Sequence, residues 1–196
     1  METYTLGKTD LEVTPIGLGC WQFSKGEGLV GKYWGNLPQA TVNDIVRVSL
    51  EKGVNWFDTA EVYGKGASER SLAEALDAAD ADRKGYLIAD KWFPAFHFAG
   101  NIPKTFPLRL EALGGRDVDL HQIHQPFSFS SVERQAEEMG KLVKAGRVRA
   151  VGVSNFDEKK MRAAQERLDK MEIPLASNQM PYSLIDREIE RNGVLD

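Results

Sequence analysis

The chain has 196 residues, of which 42% are hydrophobic and 28% charged, a composition typical of a globular protein with one sizeable core. Its 29 acidic and 25 basic residues give a net charge of −4 without a basic cluster, which argues against a nucleic-acid partner. The single cysteine, Cys20, excludes an internal disulfide. The first residues do not resemble a signal peptide, and no apolar run approaches the roughly 18 residues that span a bilayer. We therefore expect one cytoplasmic domain over residues 1–196, with no membrane partner and an undefined oligomeric state.

The first elements in chain order are a hairpin, a short strand and a long loop. Residues 4–14 alternate apolar and polar positions on both sides of Gly7, which predicts a small β-hairpin. Residues 16–19 are predicted to form a short strand, and residues 20–36 a loop rich in glycine and aromatic side chains. Residues 26–31 spell a Gly-X-Gly-X-X-Gly dinucleotide fingerprint, but we predict no helix there, so a Rossmann site is not favoured.

Beyond the loop, short apolar strands alternate with amphipathic helices. The predicted strands are 55–58, 86–91, 118–124, 148–153 and 173–178, and the predicted helices follow Pro38 up to Gly53 and then span 68–80, 103–113, 131–145 and 157–170. One more helix is predicted over residues 183–192. Strict alternation implies six parallel βαβ units, as in an α/β barrel or an open doubly wound sheet.

Polar residues recur where these strands end. The set comprises Asp58, Lys91, His124, Ser154 with Asn155, and Gln179. In α/β folds the carboxyl ends of parallel strands share one edge, and active sites are built there. We therefore expect these side chains to converge on one cavity mouth.

Tyr63, five residues after Asp58, is a candidate proton donor. A phenol has a pKa near 10, so it needs a neighbour that stabilises the phenolate if it is to act as an acid at neutral pH. We expect Lys91 to lower that pKa, Asp58 to keep the lysine charged, and His124 to orient a substrate oxygen. This chemistry suits carbonyl reduction. The alternative is that Asp58 only caps a helix or forms an ion pair, and that Tyr63 is a rim aromatic.

Two other chemistries fit the sequence poorly. His121 and His124 lie three positions apart on one strand and point to opposite faces, and no cysteine or carboxylate completes a zinc site. Ser154 lacks the Gly-X-Ser-X-Gly turn of a hydrolase nucleophile. We therefore expect neither a metal nor a serine nucleophile.

Four loop residues have no role defined by the sequence. Cys20 has no activating histidine or basic neighbour, so we interpret it as a packing residue. Trp21, Trp34 and Trp92 stand in or near strand-end loops, where tryptophan serves either the core or an apolar ligand pocket. The sequence leaves both interpretations open for all three.

Four motifs carry a family resemblance. They are residues 17–23 (GLGCWQF), 57–64 (FDTAEVYG), 119–124 (DLHQIH) and 152–156 (GVSNF), in this order along the chain. Together they resemble the successive motifs of the aldo-keto reductases. The resemblance implies a (β/α)8 TIM-type barrel whose N-terminal β-hairpin closes the bottom. It also implies reduction of a small aldehyde or ketone substrate with NADPH.

The resemblance also assigns roles to residues. Tyr63 would be the proton donor, Lys91 and Asp58 its partners in setting the pKa, and His124 the residue that orients the carbonyl. The nicotinamide would be held by Ser154, Asn155 and Gln179, with the Cys20–Trp21 backbone beside it and Asp58 also near it.

Two features depart from the family pattern. Asp90 precedes Lys91 where the family has a small hydroxylated residue, so a second carboxylate either lies near the lysine or points away from it. The family barrel also continues past the sixth strand, so the resemblance implies a barrel truncated at residue 196. The nicotinamide-stacking aromatic and the 2′-phosphate loop would follow that point, so no residue here separates NADPH from NADH. The alternative functions are a nicotinamide-binding sensor or regulatory subunit with little turnover, or an inactive fragment.

Overall fold

The computed structural model describes residues 1–195 and begins with the predicted hairpin. In it β1 (Tyr4–Thr5) pairs antiparallel with β2 (Glu12–Val13). The turn between them passes through Gly7, whose φ of 56° lies in the left-handed region that favours glycine. The hairpin prediction is confirmed.

Six parallel strands follow, each within two residues of its predicted bounds. They are β3 (Leu18–Gly19), β4 (Trp56–Asp58), β5 (Leu87–Trp92), β6 (Val118–Ile123), β7 (Val148–Ser154) and β8 (Leu175–Gln179). Neighbours in sequence are neighbours in the sheet, and all five pairings are parallel. The polar strand-end residues therefore lie along one edge.

Helices connect the strands. They are α1 (Gly28–Gly31), α2 (Gln39–Glu51), α3 (Ala67–Ala78), α4 (Ile102–Ala112), α5 (Val132–Lys144) and α6 (Glu158–Asp169). Short 3-10 turns lie at Trp21–Ser24, Arg83–Gly85, Ala99–Asn101 and Glu188–Glu190. Ser131 caps α5 by accepting a hydrogen bond from the Arg134 N–H, and Asp157 caps α6 by accepting one from Lys160 N–H at 2.8 Å.

The sheet is curled into part of a barrel. Gln179 Nε2 on β8 donates to Asp58 Oδ2 on β4 at 3.2 Å, although three strands separate them in the sheet order. In a flat sheet, strands spaced about 4.8 Å apart would hold these residues roughly 19 Å from each other. The strands are therefore six of a (β/α)8 TIM-type barrel, as the resemblance implied.

Two apolar cores fill the spaces on either side of the strands. The larger core lies between the strands and the helices and includes Phe57, Ile88 and Ile123. The smaller core lies inside the curl, where Leu11 of the hairpin packs with Ala89, Leu120, Ala150 and Ala176. The hairpin therefore closes the amino-terminal end of the barrel and leaves the carboxyl end for a site.

Two local predictions are wrong. Residues 183–192 form no helix beyond the 3-10 turn at Glu188–Glu190. The Ser183 Oγ does accept from Asp186 N–H like a helix cap, but Leu184 and Ile185 are 98% and 99% exposed and have no core to pack on. Residues 28–31 do form one helical turn, α1, held by a hydrogen bond from Ser24 Oγ to Gly31 O.

No helix of residues 1–195 has the length and apolar character needed to cross a membrane.

Candidate active site

A cavity of about 430 Å3 opens at the carboxyl ends of the strands. The sequence-predicted residues that line it are Trp21, Tyr63, Lys91, His124, Ser154, Asn155 and Gln179. Val30, Val62, Phe93, Gln125, Met180 and Pro181 complete the lining. The cavity therefore collects side chains from the ends of all six strands and the loops that follow them, as the convergence of polar residues predicted.

A buried ion pair forms the floor of the cavity. Lys91 Nζ donates to Asp58 Oδ2 at 2.6 Å and to the Thr59 backbone oxygen at 3.0 Å, and Lys91 is 1% exposed. Gln179 Nε2 donates to the same Asp58 oxygen. Because a buried ammonium needs a paired charge and hydrogen-bond acceptors, these contacts suit a buried lysine and fix Lys91 beneath the cavity.

Tyr63 is held above this pair by its loop and by aromatic packing. Gly64 has a φ of 67°, and a Cβ there would lie 2.5 Å from the Ser24 backbone oxygen, so the turn after Tyr63 requires glycine. The Tyr63 ring stacks on Trp21 at 5.6 Å between centroids and lies 5.3 Å from Lys91 Nζ. Its hydroxyl makes no hydrogen bond within the described part of the chain, so it remains available to a ligand oxygen.

The Tyr63 pKa is shifted upward from the usual value of a phenol. Burial is the main cause, and the charges of Asp58, Cys20 and Asp90 act in the same direction. The downward shift that the sequence predicts from Lys91 is therefore wrong. A raised pKa keeps the phenol protonated at neutral pH, which a proton donor needs before the reaction, and Lys91 Nζ lies 5.3 Å from the centre of its ring.

His124 is a neutral imidazole at the cavity wall. Burial and the charge of Lys91 lower the pKa of His124 to about 3. The ring packs edge-on against Tyr63 and against Phe93, at 5.5 and 5.7 Å between centroids. A neutral imidazole still carries one N–H, so His124 can donate a hydrogen bond to a substrate oxygen near Tyr63.

Three polar residues beside the ion pair fit a nicotinamide carboxamide. Ser154 Oγ donates to Gln179 O at 3.0 Å, and Asn155 Nδ2 donates to Ser154 Oγ and to His124 O at 2.9 and 3.1 Å. Within residues 1–195, the amide oxygens of Asn155 and Gln179 accept no hydrogen bond, so they can accept from a carboxamide NH2 group. Asn155 adopts a φ of 61°, a conformation that asparagine tolerates well.

Cys20 does not reach the cavity. Its N–H donates to Asp58 O at 2.8 Å, its carbonyl accepts from Ser68 Oγ at 2.6 Å, and its side chain is fully buried. These contacts support its interpretation as a packing residue, and the place of the Cys20–Trp21 backbone beside a cofactor stays a prediction. Among the tryptophans, Trp21 lines the cavity, whereas Trp92 is a core residue that donates to Asn101. Trp34 packs edge-on against Trp21, outside the lining.

Sequence reasoning missed two residues of the site. Gln122 lies opposite Lys91 in the β5–β6 register, and its Nε2 is 3.5 Å from Asp58 Oδ1. Phe93, just beyond β5, forms the wall next to His124. The two-residue alternation along β6 could have identified Gln122, since Gln122 and His124 share one face of the strand. An isolated phenylalanine after a strand gives no such signal.

A second polar cluster lies on the other face of β5, between the sheet and helices α3 and α4. It contains Glu69, Asp90, Arg109 and His121, and Glu69 Oε2 accepts from Arg109 Nη1 at 3.0 Å. Both Asp90 carboxylate oxygens and His121 Nδ1 lack a hydrogen-bond partner within the described chain. His121 thus faces away from His124, as its strand position predicted, and residues 1–195 hold no arrangement of three or more His, Cys, Asp or Glu suited to a metal.

This cluster should make stability depend on pH. Burial raises the pKa of Glu69 to about 9 and that of Asp90 to about 7, so both carboxyls bind protons more tightly in the folded chain than in the unfolded one. Their stabilising contribution is complete below about pH 4 and is lost as the pH rises through 7 and then 9. Asp90→Asn should therefore flatten the fall in melting temperature between pH 5 and about 8.

The measurement is a series of thermal melts across that pH range on a chain carrying all eight βα units, which we call the complete barrel. Asp117→Asn, at an exposed position before β6, is the matched control and should follow the unmodified protein. An Asp90→Asn curve parallel to that of the control would show that Asp90 does not titrate as its burial implies.

Comparison with known proteins defines the family. The profile of the Aldo/keto reductase family matches residues 15–196. The chain therefore belongs to the aldo/keto reductase family, in agreement with its barrel and its strand-end cavity. It is an oxidoreductase family, and its members bind a nicotinamide cofactor.

Individual relatives cover nearly all of this chain. Aldo-keto reductase YhdN of Bacillus subtilis is 32% identical over 98% of the chain and 57% of its own length. An uncharacterised oxidoreductase of Mycobacterium tuberculosis is 36% identical over 88% of the chain and 51% of its own length. The chain thus spans little more than half the length of these relatives.

Solved structures show the same fold. A thermostable aldo-keto reductase in complex with the inhibitor epalrestat superimposes with a TM-score of 0.83 at 28% identity, over all of this chain and 68% of that one. An aldo-keto reductase from Klebsiella pneumoniae in complex with NADPH gives a TM-score of 0.80 at 25% identity, over 99% of this chain and 63% of that one.

Proposed function

We propose that this chain, as part of a complete barrel, reduces the carbonyl group of an aldehyde or ketone to an alcohol with a nicotinamide cofactor. The observation that carries the proposal is the 2.6 Å Lys91–Asp58 ion pair buried beneath Tyr63, with His124 on the same cavity wall. Such a group of residues serves a reaction in which negative charge develops on an oxygen and a proton must be delivered to it.

Each residue has one role in this proposal. A bound reduced nicotinamide supplies the hydride to the carbonyl carbon. The Tyr63 O–H bond breaks as its proton passes to the carbonyl oxygen, and the Lys91 ammonium stabilises the phenolate that remains. Asp58 keeps Lys91 charged and in place. The neutral His124 orients the carbonyl by donating a hydrogen bond to its oxygen.

NADPH is the cofactor we propose, held through its carboxamide by Ser154, Asn155 and Gln179 beside Trp21. Support comes from the free amide oxygens of Asn155 and Gln179 and from the Klebsiella relative, which was solved with NADPH. No residue of the described range supports NADPH over NADH. Cys20, the single cysteine, is a buried thiol, in keeping with a reducing cytosol.

Replacing Lys91 tests the proposed proton transfer. In Lys91→Met the phenolate loses its nearby cation, so the Tyr63 pKa should rise further. Reduction by a general acid is lost as the pH rises through the pKa of the donor, so the falling limb of the turnover profile should move to higher pH while turnover decreases. The measurement is steady-state NADPH oxidation against pH in the complete barrel.

A control is needed because removing one partner of a buried ion pair costs about 3–5 kcal/mol of stability. Melting temperatures should therefore accompany the kinetics, and Lys160→Met, whose exposed ion pair lies on α6, gives the matched change without effect on the profile. An unshifted profile in a folded Lys91→Met protein would remove Lys91 from the proposed role. A folded barrel that binds NADPH but oxidises it with no carbonyl compound would favour the sensor function instead.

A further inference from the structure

Glu61 makes two hydrogen bonds to the end of strand β5. Its N–H donates to Lys91 O at 3.2 Å, and its Oε1 accepts from the Phe93 N–H at 2.6 Å. Strand β4 ends at Asp58, so it offers no backbone acceptor to the Phe93 N–H. The Glu61 side chain supplies that acceptor instead. It follows that the loop carrying Tyr63 is tied, two residues before the tyrosine, to the segment that carries Lys91.

The Glu61 carboxylate also forms an ion pair with Arg109. Its Oε2 lies 3.7 Å from Arg109 Nη1, and that nitrogen donates to Glu69 at 3.0 Å. The Glu61 and Arg109 side chains are 16% and 11% exposed, so solvent screens these charges little. Burial raises the Glu61 pKa, while the Phe93 N–H and Arg109 act against that rise.

Phe93 carries this constraint to the cavity. Its ring lines the cavity and packs edge-on against His124 at 5.7 Å and Phe127 at 6.2 Å. The preceding residue, Trp92, accepts a hydrogen bond from His124 N–H at 3.0 Å. A shift of the Phe93 backbone would therefore move the wall against which a substrate carbonyl is oriented.

We propose that Glu61 is a positioning residue that fixes the Phe93–His124 wall of the carbonyl site by accepting the Phe93 N–H hydrogen bond. The inference rests on the proposed function for its kinetic consequence but not for its structural one. In this proposal the Glu61 oxygen that accepts the hydrogen bond matters more for positioning than the negative charge of Glu61. The reason is that the short contact of Arg109 is with Glu69 rather than with Glu61.

The structural test compares Glu61→Ala with Glu61→Gln by amide hydrogen exchange. Alanine removes the acceptor, so protection of the Phe93 amide should fall by roughly ten- to a hundredfold. Glutamine keeps an oxygen at that position, so it should retain most of the protection. The exposed Glu74→Ala on α3 is the control for a generally looser fold. Unchanged Phe93 protection in Glu61→Ala, or equal loss in both variants, would overturn the proposal.

The kinetic test uses the same variants in the complete barrel. Because a small displacement of reacting groups is costly, kcat/KM for a carbonyl substrate should fall roughly ten- to a hundredfold in Glu61→Ala and recover in Glu61→Gln. NADPH affinity should stay within about threefold, since Ser154, Asn155 and Gln179 do not contact Glu61. An equal loss of NADPH affinity would indicate general unfolding and contradict positioning. If the unmodified barrel reduces no carbonyl, the proposed function fails, while the exchange result still decides the role of Glu61.

Discussion

Turnover of a carbonyl substrate is expected to fall roughly 10²–10⁴-fold when Tyr63 is replaced by phenylalanine in the complete barrel. The change removes a single hydroxyl that forms no hydrogen bond within residues 1–195, so the fold should lose little stability. The phenylalanine ring can keep the stack on Trp21 and the position above Lys91. The expected loss is therefore one of chemistry, and it should appear in kcat and in kcat/KM alike.

Steady-state kinetics and a fluorescence titration with NADPH measure the two quantities separately. NADPH affinity should be nearly unchanged, because the hydrogen bonds of the residues proposed to hold the carboxamide do not involve the Tyr63 hydroxyl. Tyr33→Phe is the matched control, since Tyr33 also stacks on Trp21 and is 73% exposed. Full reductase activity in Tyr63→Phe would remove the phenol from the mechanism.

The second large effect concerns a polypeptide limited to residues 1–196, which is expected to self-associate and to bind NADPH far more weakly than a complete barrel. Strands β3 and β8 each pair on one side only among the described strands, so backbone N–H and C=O groups are left open at both edges. Nearby, Leu184 and Ile185 are exposed. At roughly 25 cal/mol per Å2, leaving about 200–600 Å2 of apolar surface uncovered would cost about 5–15 kcal/mol, as much as a typical net stability.

Size-exclusion chromatography and NADPH titration of the two chains provide the comparison. The shorter chain should elute as a mixture of oligomers or aggregates and melt without cooperativity. A complete barrel should elute as a defined species and melt cooperatively. A monomeric, cooperative melt of the 196-residue chain together with micromolar NADPH affinity would contradict the expectation and show that the open edges are tolerated.

The sequence predicted most of the fold because its signals were local and repeated. Each strand is a short apolar run, and each helix carries a 3.6-residue period, so their alternation predicted the parallel units without knowledge of any contact. The same alternation placed Asp58, Lys91 and His124 at one edge, and the structure brings them together. Their assigned roles in catalysis remain predictions.

The missed features depend on contacts between distant residues. Ser183 carries a genuine capping signal, but a helix there needs a surface on which Leu184 and Ile185 can pack. The cluster behind β5 joins Glu69 to Arg109, forty positions apart, and Glu69 looked like an ordinary first-turn acid of a helix. The predicted direction of the Tyr63 pKa shift is wrong for the same reason. Burial causes the shift, and the degree of burial depends on how the whole chain packs.

The aromatic stack at the cavity gives the protein an optical reporter. Trp21 stacks on both Tyr63 and Tyr33, nearly parallel to each, at 5.6 and 5.3 Å between ring centroids. Reduced nicotinamide absorbs where tryptophan emits, so a cofactor bound in this cavity would quench Trp21 by energy transfer. Trp34, edge-on to Trp21, and Trp56 and Trp92 elsewhere in the barrel emit as well, so the measured quench is the sum over four tryptophans. Trp21, which stacks on the proposed proton donor, would therefore let cofactor binding be followed by intrinsic fluorescence, without a label.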